Sequence, residues 1–175
     1  MRIESSIVTK LLVDGVQNLG PIAIYLEDFA PGQGKITITI FDECWSYAWG
    51  AMAQGYTIKS FFLKADAHYI AKKFAPRLDD TVDDLDKLPD HARKYIIQRR
   101  REEEFTKTEA RELYDRTDDL EVDDKSQLDQ NLMISIFGGD EWWYEIPQKP
   151  NHEYEYLIRV IEAVKMALKT WQEVK

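Results

Sequence analysis

The sequence predicts an α+β fold, an N-terminal antiparallel sheet of about three strands packed by C-terminal helices. Three patterns predict it. Isoleucines alternate with threonines up to Ile40, apolar spacing becomes helical beyond Gly55, and a full apolar stripe marks the last helix.

The strands come first. Ile36, Ile38 and Ile40 alternate with Thr37, Thr39 and Phe41, the period of a half-buried, β-branched strand. Ile22, Ile24 and Leu26 alternate with Ala23 and Tyr25 in the same way. Between them, Glu27 to Gly34 holds a Pro/Gly turn of hairpin length. Ile7 to Val13 is apolar and β-leaning and breaks at Asp14 and Gly15. It supplies a third strand, since a lone hairpin is marginal in water.

Helices follow. Thr57 can cap a helix carrying Ile58, Phe61, Phe62 and Ala65, Asp66 can restart it for Tyr69, Ile70 and Phe74, and Pro76 stops it. The acidic run to Asp90 reads as a solvated loop. A long helix starts at Pro89 and Asp90 and includes Ala92, Tyr95 and Ile96. Its stripe vanishes from Gln98 to Glu104 and resumes at Phe105, Ala110, Leu113 and Tyr114, so either one helix leaves the core or two meet there. Leu128, Leu132, Met133 and Ile136 make a short helix ending at Gly138 and Gly139. Asn151 then opens the clearest element, whose stripe is Tyr154, Leu157, Ile161, Val164, Leu168 and Trp171, with Lys165 and Lys169 off it.

These elements amount to a single α+β domain over residues 1–175, with an acidic helical excursion over 77–129. A chain of this size buries about 70% of its unfolded surface and needs no staples. The one cysteine, Cys44, excludes an internal disulfide and fits a reducing compartment. Without a signal-like N-terminus or a run of about 18 apolar residues, a cytoplasmic protein with no membrane partner is expected.

The net charge of −9 is segregated. Asp79, Asp80, Asp83, Asp84, Asp86 and Asp90 stand against Lys87 alone, a net of −5. Asp115, Asp118, Asp119, Glu121, Asp123, Asp124 and Asp129 stand against Arg116 and Lys125, again −5. Such a field repels phosphate backbones, which disfavours direct nucleic-acid binding, and favours a basic partner.

Chemistry-bearing motifs are scarce. The Asp79–Asp86 run has the DDxxD spelling of prenyl-diphosphate enzymes, but those are large and all-helical. As an EF-hand it would place Asp84 and Asp90 where glycine and glutamate are required, so no metal is expected. Cys44 follows two acids and has no neighbouring histidine, which reads as a buried, inert thiol. There is no dinucleotide or phosphate loop, nucleophile elbow or zinc motif, and no cofactor or catalytic residue is assigned. The aromatic segments, Trp45 to Met52 and Trp142 to Tyr144, read first as core and second as anchors for a partner.

The WSYAWGAM segment (45–52), the FFLKADAHYIAKKF helix (61–74) and the closing FGGDEWWYEIPQKPNHEYEYLIRVIEAVKMALK (137–169) resemble small accessory proteins of tailed phages and prophages. The resemblance covers most of the chain apart from the acidic middle and transfers no activity. It implies a protein made in the host cytoplasm that binds and blocks a host factor, such as restriction or CRISPR machinery, by presenting carboxylates where phosphates would lie. The expectation is therefore a non-enzymatic inhibitor. Its docking face would comprise Asp79, Asp80, Asp83, Asp84, Asp86, Asp118, Asp119, Asp123 and Asp124, and its partner would be a host protein with a basic surface. Two alternatives are a small-ligand or enzyme site near Trp45, Trp49, Trp142 and Tyr144, and a structural subunit that self-associates through the last helix.

Overall fold

Isoleucine alternation builds the sheet. The computed structural model of the chain describes residue 3 and residues 5–171. Strands β1 (Thr9–Val13), β2 (Ile22–Ala30), β3 (Gln33–Ile40) and β4 (Glu43–Trp49) pair antiparallel in chain order. Ile24 lies opposite both Leu11 and Ile38, and Ile38 opposite Trp45, so one face carries the whole apolar set. Ile22, Ile24, Ile36, Ile38 and Ile40 are fully buried. The fold class is as expected, with four strands where about three were expected. The fourth is the first aromatic segment, in which Trp45, Tyr47 and Trp49 alternate with Cys44, Ser46 and Ala48. Cys44 therefore falls on the solvent side and is exposed, which corrects the buried thiol.

The β2–β3 turn is tighter than the Glu27–Gly34 span. Ala30 pairs with Gln33, leaving Pro31 and Gly32 as the turn, with Gly32 at φ 74°. Gly34 has a packing reason: a Cβ there would stand 2.8 Å from the Glu27 carbonyl oxygen and 2.9 Å from Ile58 Cβ. That close approach lets Asp28 accept the Ile58 N–H at 2.6 Å, tying the hairpin to the helix that follows.

Helices α1 (Ile58–Lys64) and α2 (Ala67–Phe74) start where expected. Thr57 forms a capping box with Ser60, and Asp66 accepts from the N–H groups of His68 and Tyr69. After the second unit described below, α6 (His152–Thr170) lays Tyr154, Leu157, Val160, Ile161, Val164 and Leu168 into the same core as the sheet, α1 and α2. Lys165, expected off the stripe, is buried. Its ammonium donates at 2.5 Å to the Ala65 carbonyl, where α1 ends, so a cation meets the negative end of a helix.

The chain forms two compact units, one holding residues up to Asp80 and again from His152, the other Thr81–Asn151. The segment expected as an acidic excursion lies, from Thr81 on, inside this second unit. Short strands β5 (Thr81–Asp83) and β6 (Gln148–Pro150) pair antiparallel and close it. Helices α3 (Leu88–Arg101), α4 (Lys107–Asp115) and α5 (Gln130–Phe137) surround a core of Leu88, Ile96, Leu120, Leu132, Met133, Ile136, Phe137 and Trp142. Two helices, not one, meet near Glu104, because Thr106 caps α4 in a box with Glu109. Among the described residues, no helix is long and apolar enough to cross a membrane.

Ile38 tests the sheet face. Ile38→Ala should cost about 2–5 kcal/mol in urea unfolding of the first unit. Thr39→Ala, on the opposite face, should change it by no more than about 1 kcal/mol. Equal effects would mean the two faces do not differ.

Candidate functional site

The two acidic segments fold into structured elements, and their carboxylates divide into internal and external groups. Asp83 ends β5 half-buried. It accepts from Lys125 Nζ at 2.8 Å and from Gln148 Nε2 at 2.6 Å. Asp84 is buried, with 4% of its side chain exposed. Lys87 Nζ stands at 3.1 Å and Lys149 Nζ at 3.5 Å. The Asp84 N–H donates to the Pro147 carbonyl at 2.7 Å, so backbone and side chain are both committed. Asp86 is exposed and reaches Lys149 at 3.3 Å.

Partial burial pushes the Asp83 carboxyl up. The hydrogen bonds from Lys125 and Gln148 outweigh it and hold the group below the ordinary carboxylate range. Burial acts the same way on Asp84, and Lys87 and then Lys149 reverse it. Asp83 and Asp84, expected on a docking face, are both held by cations of the same unit, with Asp84 buried and Asp83 half-buried. The cause is plain: two of their cations, Lys125 and Lys149, come from 42 and 65 residues away.

The remaining expected carboxylates lie outside. Asp79 pairs with Lys72 at 3.0 Å, and Asp80 beside it is exposed; both precede the second unit. Arg93 forks between Asp90, at 2.9 Å, and Asp118. Arg116 stands between Asp119, at 3.5 Å, and Asp129, at 3.3 Å. Asp124 accepts from the Ser126 N–H at 2.7 Å and is held low by Ser126, while Asp123 is exposed. Such exposed pairs contribute little to stability, so a competing cation can displace them at small cost.

Charge follows the division into units. Thr81–Asn151 holds 19 acidic and 11 basic residues, a net of −8, whereas the rest of the chain holds 13 against 12. Internal pairing leaves that surplus in place.

The aromatic segments belong to different units. Trp49 and Met52 are core in the first, where Trp49 Nε1 donates to the Tyr69 hydroxyl at 3.0 Å. Trp142 is core in the second, whereas Trp143 and Tyr144 are exposed. Near Trp45, a surface groove of about 530 Å³ is lined by Glu43, Cys44, Trp45, His152, Glu153 and Tyr156. Cys44 and His152 lie far apart in sequence, and no local signal announces that they share it. His68 Nδ1 and the Tyr154 hydroxyl lie 2.9 Å apart beside a second groove, also bordered by His152. Burial raises the Tyr154 hydroxyl above its ordinary value.

A family model described as a phage family matches residues 1–170. The chain belongs to this phage family. No curated protein and no solved structure matches it. For the phage protein the acidic segments are therefore the feature that calls for explanation.

Acid titration tests the internal group. Because Asp83 and Asp84 are held low, their stabilising contribution is whole above about pH 4 and disappears as pH falls through their lowered values. Unfolding midpoints of the second unit should drop over that acid range, and Asp84→Asn should flatten the drop. A profile that Asp84→Asn leaves unchanged would contradict the assignment.

Proposed function

We propose that this phage-family protein is a non-catalytic interaction protein whose second unit, Thr81–Asn151, engages and inhibits a host protein through its acidic surface. One observation carries the reading: nearly the whole charge imbalance of the chain resides in a unit with its own core, while the rest is close to neutral. A neutral scaffold bearing a strongly negative folded module suits electrostatic docking on a basic surface.

The docking carboxylates are those of the second unit that stand outside: Asp86, Asp118, Asp119, Asp123 and Asp124. Asp83 and Asp84 support them from within. A host factor that handles nucleic acid, such as a restriction or CRISPR component, fits as target, because its phosphate-binding surface is basic by necessity. Action in the host cytoplasm belongs to the same proposal.

The groove beside Trp45 favours a second reading. Its volume falls in the range of small-molecule sites, and Glu43, Trp45, His152, Glu153 and Tyr156 border it. A small ligand bound there would change tryptophan emission in the wild type and not in Trp45→Phe.

The primary reading is tested by capture from host lysate at low and high salt. Triple reversal Asp86→Lys, Asp119→Lys and Asp123→Lys should abolish capture while the melting temperature stays within a few degrees, and wild-type capture should fade as salt rises. Capture that survives both the reversal and the salt would sink the electrostatic mechanism.

A further inference from the structure

The sheet ends on β1 at one side and β4 at the other, and the β1 edge is apolar. Among the described residues β1 pairs with β2 alone, so its outer edge presents unpaired backbone N–H and C=O groups. Leu11 and Val13 face the core half-buried, while Leu12 on the opposite face is 75% exposed. A groove of about 450 Å³ runs beside this edge toward α6, where Met166 is 67% exposed. The only charges along the strand and its end are Lys10 and Asp14, both exposed.

We propose that a second copy of this chain pairs antiparallel with β1 across a two-fold axis at Leu12, continuing the sheet from one copy into the next. The residues themselves select this partner and this register. A two-fold axis perpendicular to the sheet requires residues opposite one another to share a face, which places the axis through a residue and not between two. An axis at Lys10 sets ammonium against ammonium. An axis at Leu11 sets Lys10 against Leu12, and one at Val13 sets Leu12 against Asp14. At Leu12 every pair is compatible: Leu12 meets Leu12, Leu11 meets Val13, and Lys10 meets Asp14 twice over. Opposite side chains in such a ladder lie about 4.5–5.5 Å apart, close enough for both contacts. The same approach covers the groove that Met166 borders. This surface lies in the neutral unit and stands or falls independently of the acidic docking reading.

Light scattering on the full chain tests it. The wild type should show twice the 20.5 kDa of one chain, and Leu12→Glu, which puts two carboxylates on the axis, should halve that mass with an unchanged circular dichroism spectrum. Lys10→Asp should also give monomer, and adding Asp14→Lys should restore the dimer. Under mild oxidation, Leu12→Cys with Cys44→Ser should form an intermolecular disulfide. A monomeric wild type, a dimer indifferent to Leu12→Glu, or a charge swap that restores nothing would each overturn the proposal. So would a monomer that takes up an extended segment of another protein instead.

Discussion

Asp84 closes the second unit, and much of that unit's arrangement depends on it. A carboxylate taken out of water is costly unless cations and donors surround it. Here Lys87 comes from the next turn and Lys149 from β6, so satisfying Asp84 brings the start and the end of the unit together. Asp83 repeats the device with Gln148 from β6 and Lys125 from the second acidic segment. An acid-rich stretch that would otherwise repel itself is stitched at three points distant in sequence. Its outer carboxylates are consequently held on a folded framework of helices, where a free tail would have to be ordered on binding.

The first unit carries almost no net charge. Its isoleucine face, α1, α2 and α6 share one core, and the buried Lys165 joins α6 to the end of α1. Its grooves and its open β1 edge are separate opportunities, and none of them draws on the acidic field.

Local patterns were the legible ones. The β2 and β3 alternation, the Thr57 and Asp66 caps and the α6 stripe each involve residues within a few positions, and each appears where expected. β4 was obscured because its aromatic residues suggested a cluster before they suggested a period of two. Cys44 was misplaced for the same reason, since its exposure follows only once β4 is known. The acidic framework was beyond local reading: nothing near Asp83 or Asp84 shows that Lys125 and Lys149 fold back onto them. Composition pointed to an acidic surface, and only long-range geometry separates the carboxylates that build the unit from those that face outward.

Native-state hydrogen exchange on the full chain, wild type against Asp84→Ala, tests the closure most directly. The account predicts faster exchange at Val82, Asp83, Gln148 and the α5 amides, with Ile24 and Ile38 unchanged. Exchange that is unaltered in Thr81–Asn151, or accelerated equally in both units, would contradict it.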